Sequence, residues 1–216
     1  LFILLAYLVG SIPNGYILGR LKGVDITKVG SKNIGATNAG RALGKKFAVI
    51  VFLLDMLKGA LFVLLFRYQI IPAKYCVLNP MLYGLLASLG HTFPIFLKFK
   101  GGKSVSCGCG AAVAYCPWLL IVAAMAFIGS LKLTKMVSVG SIVGAISVFV
   151  GSLLIAIFTN EINLYLKGYP LKEAWPYNLW FVIFTLIVVC IIVIKHHGNI
   201  KRILNGTERK IGQGKK

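Results

Sequence analysis

The sequence predicts an all-α membrane protein with seven transmembrane helices, and both composition and charge support this class. Of the 216 residues, 58% are apolar and only five are acidic, which is more apolar surface than a soluble domain of this size could bury. The apolar residues are gathered in runs, most of them long enough to cross a bilayer, which takes about 17 to 25 residues. The lysines and arginines lie mainly between these runs. Residues 1–216 are therefore expected to form a single integral-membrane domain.

The apolar runs give the expected spans in chain order. The first covers residues 1–19 and is interrupted at Pro13, Asn14 and Gly15. Because no charged segment precedes it, we interpret it as a span and not as a cleavable signal sequence. The later spans are residues 47–66, 77–97, 105–116, 117–131, 136–158 and 179–194. A polar loop is expected at 159–178, and a short interfacial helix is expected after the last span.

The run 105–131 allows two interpretations, one long span or two short ones that turn at Pro117. Aromatic residues beside a proline suit a turn at the membrane interface. Two spans also place nearly all the basic residues on one face, whereas one span would put the last basic clusters on opposite faces. The sequence therefore favours two spans, although 105–116 covers only about 18 Å at 1.5 Å per residue.

The distribution of positive charge predicts the orientation in the membrane. With seven spans, the formal net charge of +19 lies almost entirely on one side, and four basic residues face the other: Arg67, Lys74, Lys167 and Lys172. Basic loops favour the cytoplasmic side. The N-terminus is thus expected outside and the C-terminus in the cytoplasm, with a basic face toward anionic lipids. Because the lysines lie between apolar runs, nucleic acid is not expected as a partner.

Two charged residues lie inside the second span. Asp55 and Lys58 are three residues apart and therefore share one helical face. Charges inside a membrane are costly, so we expect the two to neutralise each other and to face the bundle, a structural role favoured over a catalytic one. His91, on an apolar helix before Pro94, is expected to be a packed histidine.

The polar, glycine-rich stretch 29–44 is the first candidate for chemistry. Glycines bring backbone N–H groups close to a ligand, and hydroxyls, amides and a guanidinium suit a small phosphate-bearing polyol. The alternative is a flexible basic loop at the membrane face. The candidate ligands are Ser31, Asn33, Thr37, Asn38 and Arg41.

A second candidate is Gly101-Gly102-Lys103-Ser104, which opens a helix. Backbone N–H groups and the positive helix end favour an anion there, and Lys103 adds a full charge. The stretch lacks the first glycine of a Walker A loop. The alternative is a glycine-rich turn whose lysines extend to the membrane surface.

Later polar residues complete the candidate site. Ser138 and Ser141 lie at the start of the sixth span, where at least one of them is expected to cap the helix. His196 and Asn199 would share a face if the seventh helix continued, but Gly198 costs that helix about 1 kcal/mol. His196 is either a partner of the helix dipole or an orienting or proton-handling group.

The sequence lacks two other kinds of catalytic site, a histidine–aspartate dyad and a cluster of metal-binding side chains. No histidine has an aspartate five residues later, so the dyad of thioester-dependent glycerolipid acyltransferases is absent. On the cytoplasmic side only Asp25 and Glu208 are acidic, and the five cysteines lack paired metal-site spacing. No metal ion or cofactor is therefore expected.

Four ordered motifs resemble the bacterial acyl-phosphate:glycerol-3-phosphate acyltransferases (the PlsY type), almost from end to end. They are Gly10-Ser-Ile-Pro-Asn-Gly-Tyr16; Gly30-Ser-x-Asn-x-Gly-Ala-Thr-Asn38 with Arg41; Gly90-His-x-Phe-Pro94 with Phe99-Lys-Gly-Gly-Lys103; and His196-x-x-Asn-Ile200 with Gly206-Thr-Glu208. This family transfers a fatty acyl group from acyl phosphate to the 1-hydroxyl of glycerol 3-phosphate. The products are lysophosphatidic acid and phosphate, and the reaction begins phospholipid synthesis without coenzyme A or acyl carrier protein.

The resemblance implies roles for individual residues. Ser31, Arg41, Lys103, His196 and Asn199 would be catalytic, and the substrate-binding residues would be Asn33, Thr37, Asn38, Gly101, Gly102, Ser104, Ser138 and Ser141. The implied location is the plasma membrane with a cytoplasmic active site, and the implied partners are the two substrates, membrane lipids and the enzyme that makes acyl phosphate. The family usually has glycine where Ser104 stands and often glutamate where Gly198 stands.

A function of another class also fits basic loops in a helical bundle, namely transport of an organic phosphate. Against it, the sequence shows no internal repeat, and all candidate loops fall on one predicted face, whereas alternating access needs gates on both. If the chain is such an acyltransferase, the sequence allows two acceptors for the proton of the glycerol hydroxyl, namely His196 and a phosphate oxygen of a substrate.

Overall fold

The computed structural model describes residues 1–158 and 177–212, and this part of the chain is helical without any strand. The α-helices are α1 (Phe2–Gly10), α2 (Asn14–Leu21), α3 (Ala36–Leu43), α4 (Lys45–Arg67), α5 (Pro80–Thr92), α6 (Val105–Tyr115), α7 (Trp118–Thr134), α8 (Val137–Phe158), α9 (Tyr177–Lys195) and α10 (His197–Leu204). Short 3-10 turns lie at Ala73–Tyr75 and Ile95–Leu97. Most of the predicted polar loop at 159–178 lies outside the described residues.

Helix length and composition identify three clear spans among the described residues. These are α4, the segment Pro80–Leu97 and α8, with 23, 18 and 22 residues. Two bent helix pairs, α1 with α2 at 46° and α9 with α10 at 58°, raise the number to five if each pair is one span. Because α6 and α7 are apolar but shorter, at 11 and 17 residues, the expected count of seven is not confirmed and stays a prediction. The orientation of the termini also stays a prediction.

Both predicted interruptions of the apolar runs are confirmed as helix breaks. The first helix ends at Gly10, and α2 begins after Pro13. The run 105–131 is divided at Pro117, where α6 ends and α7 begins. Proline lacks an N–H and fixes φ, so it suits the first turn of a new helix and not the interior of an old one.

The predicted pairing of Asp55 with Lys58 is confirmed. Their charged atoms lie 3.0 Å apart, and the two residues are 1% and 5% exposed. The break after α1 supplies further partners, because the Ile12 carbonyl accepts from Lys58 Nζ at 2.7 Å and Asn14 Nδ2 donates to Asp55 Oδ1 at 3.0 Å. A broken helix thus provides polar groups that satisfy a charge pair inside the bundle.

Small residues let the central helices approach one another closely. A Cβ on Gly59 of α4 would lie 2.0 Å from the Cys107 carbonyl oxygen of α6, and one on Gly110 would lie 1.9 Å from that of Met56. Such contacts between backbones are typical of helix packing in membranes. Around them, the core includes Phe181 and Phe184 of α9, packed against Met81 of α5 and other buried apolar residues.

The stretch 29–44 is not a loop throughout, because residues 36–43 form α3. The N–H of Gly35 donates to Asn33 Oδ1 at 2.9 Å, which turns the chain into the helix. Gly44 ends it with φ at +103°, a conformation that suits glycine, and α4 follows at once. At the other end of the chain, the predicted short helix after the last span is present as α10.

Candidate active site

A polar cavity of about 150 Å³ lies where α3, the start of α6, the start of α8 and the junction of α9 with α10 meet. Most of the site residues expected from the sequence line it: Ser31, Asn33, Thr37, Asn38, Arg41, Lys103, Ser138, Ser141, His196 and Asn199. The fold therefore brings together side chains from four separate stretches of the sequence.

The remaining expected residues, Gly101, Gly102 and Ser104, do not line this cavity. The N–H of Gly102 donates to the His91 carbonyl at 2.9 Å, which directs it away from a ligand. Ser104 is fully buried at the N-cap of α6, and its hydroxyl donates to the Ser88 carbonyl at 3.2 Å. Its φ of 60° is left-handed, a conformation in which glycine meets no strain. These residues shape the backbone behind Lys103.

The start of α6 faces the cavity beside Lys103. Val105 and Ser106, the first residues of this helix, both line the cavity. The first N–H groups of a helix have no intrahelical acceptor, and the helix dipole makes this end positive. A phosphate in the cavity would therefore meet both an ammonium group and a helix N-terminus. Ser106 was not singled out in the sequence.

A hydrogen-bonded network joins Lys103 to the C-terminal segment. The Lys103 ammonium donates to Asn199 Oδ1, and Asn199 Nδ2 donates to Ser138 Oγ at 2.7 Å and to Glu208 Oε1 at 2.8 Å. The Ser138 hydroxyl also donates to Glu208 Oε1, while Arg202 Nε donates to Glu208 Oε2 at 2.8 Å. This network fixes the orientation of the Asn199 amide and of Lys103.

Glu208 is the site-forming residue that sequence reasoning missed. It appeared in the motif Gly206-Thr-Glu208 and was weighed only as a metal ligand. The structure places it buried behind Ser138 and Asn199, where it accepts hydrogen bonds from both. A single acidic residue in an otherwise basic tail was the available signal.

The serines of α8 do not cap their helix, contrary to expectation. The Ser138 hydroxyl bonds to Glu208 and Asn199, and the Ser141 hydroxyl donates back to the Val137 carbonyl at 2.9 Å. Since Glu208 offers Ser138 a charged acceptor, the tertiary contact replaces a local one. Both serines therefore stand on the cavity wall, one of them inside the network.

Asn38 lines the cavity, yet its side chain serves mainly the neighbouring backbone. Its Nδ2 group donates to the carbonyls of Ile26, Val29 and Asn33 at 2.9, 3.1 and 2.8 Å. Its Oδ1 atom accepts from the N–H of Ser31 at 2.7 Å. Asn38 thus ties together the loop that carries Ser31, and a direct bond to substrate would compete with these contacts.

The cavity is electropositive, and its cations are partly buried. Burial lowers the pKa of Lys103 to about 8, assisted by Arg202 and Arg41 and opposed by Glu208. Burial likewise lowers the pKa of Arg41. Although burial opposes it, hydrogen bonds from Ser138, Asn199 and Arg202 hold the pKa of Glu208 below its usual value. An anionic ligand would relieve the repulsion among these cations.

His196 lies at the break between α9 and α10, so the helix does not continue through it. The break falls before Gly198, the position at which the sequence suggested a weak point. His196 Nδ1 lies 2.8 Å from the Ile192 carbonyl, and burial together with nearby Lys103 lowers the pKa of the ring to about 4. A neutral ring that donates from Nδ1 leaves Nε2 as an acceptor. His197 is exposed and lies outside the cavity wall.

An apolar cavity of about 470 Å³ adjoins the polar one. It lies between α6, α7, α8 and α9 and shares Phe52, Val105, Phe127 and Ser141 with the polar cavity. Small residues such as Gly108, Ala112, Gly144 and Ala145 open it. Sequence reasoning did not identify this groove, although glycine and alanine are frequent in α6 and α8. Together the two cavities suit an amphiphile with an anionic head and an apolar tail.

The described part of the chain shows no cluster of side chains suited to a metal ion. Within residues 1–158 and 177–212, no three histidine, cysteine, aspartate or glutamate side chains lie close enough to hold one. The polar groups that line the cavity are lysine, arginine, histidine, hydroxyl and amide side chains.

Comparison with protein families and curated relatives gives a consistent match. The family model described as glycerol-3-phosphate acyltransferase matches residues 1–206. A glycerol-3-phosphate acyltransferase of Bacillus velezensis is 42% identical over 98% of this chain and 96% of its own length. Those of Desulforamulus reducens and Bacillus subtilis are 40% and 39% identical, over 97% and 98% of this chain and 94% and 96% of their own.

Two solved structures of an acyltransferase are also similar to this chain. The glycerol 3-phosphate form of PlsY (YgiH), an integral membrane glycerol 3-phosphate acyltransferase, superposes with a TM-score of 0.80 at 34% identity, over 98% of this chain and 94% of that one. The lysophosphatidic acid form gives a TM-score of 0.79 at 33% identity with the same coverage.

Proposed function

The chain belongs to the glycerol-3-phosphate acyltransferase family, and on this premise we propose that it acylates glycerol 3-phosphate with acyl phosphate as donor. As an integral membrane acyltransferase of this family it forms lysophosphatidic acid, the first intermediate of phospholipid synthesis. The transferred group is a fatty acyl chain, the acceptor is the 1-hydroxyl, and inorganic phosphate is the second product.

The observation that carries the proposal is the junction of the two cavities. The electropositive cavity around Lys103 and Arg41 suits phosphate groups, and the apolar groove beside it suits a fatty acyl chain. The wall that they share, at Val105, Phe127 and Ser141, is where the carbonyl carbon of an acyl phosphate would lie. A donor with a phosphate directly attached to its acyl group fits two cavities that share a wall.

The reaction then depends more on the positioning of the two substrates than on a strong acid or base. The glycerol 1-hydroxyl oxygen attacks the carbonyl carbon, a new ester C–O bond forms, and the bond from the acyl carbon to the phosphate oxygen breaks. Phosphate leaves with the electron pair of that bond. An acyl phosphate is already an activated anhydride, so holding the reactants together and stabilising the phosphate charge supply most of the acceleration.

Residues divide between the two substrates according to their place on the cavity wall. Lys103 and the first turn of α6 hold the donor phosphate, and Arg41 of α3 holds a phosphate as well. Ser31, Ser141 and Asn199 offer hydroxyl and amide groups for orienting the acceptor.

Two groups are available for the hydroxyl proton. The neutral ring of His196 can take it at Nε2, and an oxygen of the donor phosphate can take it as the anhydride bond breaks. The low pKa of His196, about 4, weakens it as a proton acceptor. Its place on the cavity wall suits it to accept the hydroxyl hydrogen bond and to orient the attacking oxygen.

The donor assignment is tested with purified protein. Palmitoyl phosphate and labelled glycerol 3-phosphate should give labelled lysophosphatidic acid, and palmitoyl-coenzyme A should give little or none. The Lys103→Ala variant should lose turnover or donor binding, because the donor phosphate loses its ammonium partner. Equal use of the coenzyme A thioester would contradict acyl phosphate as the donor.

We propose further that the enzyme lies in the plasma membrane with this cavity toward the cytoplasm. Support comes from the lysines and arginines that the predicted topology places on that side. The proposed partners are anionic membrane lipids and the enzyme that makes acyl phosphate, which must deliver an amphiphilic and reactive product.

A further inference from the structure

A cluster of buried polar groups lies inside the bundle next to the polar cavity, and the proposed reaction does not use it. Asp55 and Lys58 of α4 form an ion pair at 3.0 Å, joined by the Asn14 amide and the Ile12 carbonyl. Charged side chains within membrane segments are costly, and they usually mark a functional site. The question is what this cluster supports.

His91 of α5 connects the cluster with the cavity. Its Nδ1 atom lies 3.6 Å from Asp55 Oδ1, it is 3% exposed, and it lies on the cavity wall. On the opposite side of the ring lies Gly102, where a Cβ would come within 2.0 Å of His91 Nε2. The imidazole is thus enclosed between the buried Asp55 carboxylate and the backbone of residues 98–104, which we call the glycine loop.

The backbone of the glycine loop packs closely against His91. A Cβ on Gly101 would lie 2.3 Å from the His91 carbonyl oxygen, and the Gly102 N–H donates to that oxygen at 2.9 Å. The loop also contains Lys98, Phe99 and Ser104 with φ of 51°, 61° and 60°. Non-glycine residues rarely adopt such angles, and they keep them only where the surroundings hold them.

We propose that His91, enclosed between Asp55 and Gly102, is a positioning residue of the active site. Its ring supports the backbone of Gly102 and thereby places the Lys103 ammonium against the donor phosphate. This inference rests on the proposed function, in which Lys103 binds the donor. A cluster that only stabilised the bundle would leave donor binding unchanged in every molecule that folds.

Substitutions of His91 separate these roles. In His91→Asn the amide occupies the place of Nδ1 and the space beneath Gly102 is empty, so the KM for acyl phosphate should rise about tenfold or more while the KM for glycerol 3-phosphate changes little. In His91→Gln the amide reaches the place of Nε2 and should restore a KM close to that of the wild type. Asp55→Asn, which keeps the shape of the carboxylate, should raise the donor KM as well.

A matched control is Tyr83→Phe, which alters another buried polar side chain of α5 away from the loop. It should leave both KM values unchanged. If His91→Asn and Asp55→Asn lower the melting temperature but keep the donor KM of the wild type, the positioning role is wrong. If His91→Asn does not fold, the donor KM of Asp55→Asn decides by the same criterion.

A double variant tests whether the effect of His91 on donor binding passes through Lys103. Because His91 acts through Lys103, adding His91→Asn to Lys103→Ala should change the residual kcat/KM by less than about twofold. Additive losses would overturn the inference. Failure of the proposed function looks different, because Lys103→Ala alone would then keep the donor KM of the wild type.

Discussion

At the scale of single residues, the proposed function assigns the binding of the donor phosphate to the charge of Lys103. Its pKa is lowered to about 8 by burial and by neighbouring cations. In the proposed site, the protonated form would attract a phosphate and the neutral form would not. Activity should therefore depend on pH in a range where exposed lysines stay fully charged.

We expect kcat/KM for acyl phosphate to fall as pH rises through about 8, reaching about a tenfold loss one unit above that pKa. Rates measured from pH 6.5 to 9.5 at constant ionic strength test this. Lys100→Ala, in the same loop but exposed, should keep the fall, whereas Lys103→Arg should shift it beyond the measured range. A flat wild-type profile would show that Lys103 does not control donor capture.

Also at this scale, His196 and Asn199 should matter for activity and His197 should not. The first two line the cavity and the third is exposed. Loss of the charge-assisted bond of Asn199 costs roughly 1.5 to 3 kcal/mol, or about 10- to 150-fold in rate, and loss of a neutral bond of His196 costs roughly 0.5 to 1.5 kcal/mol, or about 2- to 13-fold. We expect Asn199→Ala and His196→Ala to remain folded with these losses, and His197→Ala to remain near wild type.

Specific activity together with detergent melting temperature separates catalysis from stability in these three variants. A fall in melting temperature with normal activity per folded molecule would mean that His196 and Asn199 only hold the end of α9. Equal losses at His196 and His197 would contradict the observed geometry, in which only one of the two histidines reaches the cavity.

At the scale of elements, four helices form the apolar groove, and its depth should select the acyl chain. Val148 lines the groove on α8, about 10 Å along the helix axis from Ser141 at the shared wall, at 1.5 Å per residue. Filling that end should exclude long chains by overpacking, at a cost of about 1 to 3 kcal/mol, while short chains still fit.

Val148→Phe should therefore lower kcat/KM for palmitoyl phosphate much more than for octanoyl phosphate. The matched control is Val150→Phe, because Val150 is 44% exposed on the same helix and does not line the groove. A series of acyl phosphates of increasing length gives the measurement. Equal effects on both chain lengths would place the acyl tail elsewhere.

At the scale of the whole molecule, the described helices are consistent with a membrane protein but leave the number of crossings open. Three helices are clear spans, and the seven-span prediction adds the two bent pairs and the shorter α6 and α7. The predicted arrangement places Arg67, Lys74, Lys167 and Lys172 on one side and nearly all other basic residues on the opposite side.

Labelling of single cysteines tests that arrangement. In a background without the native cysteines, cysteine at positions 74 and 167 should react with an impermeant thiol reagent in intact cells. Cysteine at positions 45 and 133 should react only after the membrane is opened. Labelling at 133 from outside would contradict the division of the run 105–131 into two spans.

Several features of this protein follow from the sequence alone, because they depend on neighbouring residues. The helix breaks at Pro13 and Pro117 follow from the missing proline N–H, and the pairing of Asp55 with Lys58 follows from helical spacing. The cost of burying charge fixes their orientation toward the bundle. Ten of the residues that line the polar cavity could likewise be named in advance, from the polar stretches between apolar runs together with the family resemblance.

Only the tertiary structure decided how these residues are supported. Ser138 meets Glu208 across 70 positions of sequence, which replaced the expected helix cap with a network that orients Asn199 and Lys103. The apolar groove exists because small residues of α6, α7 and α8 leave space beside α9. His91 of α5 lies beside Asp55 of α4 because these two helices meet within the bundle. Local sequence patterns contain no information about such distances, since these contacts depend on how whole helices pack together.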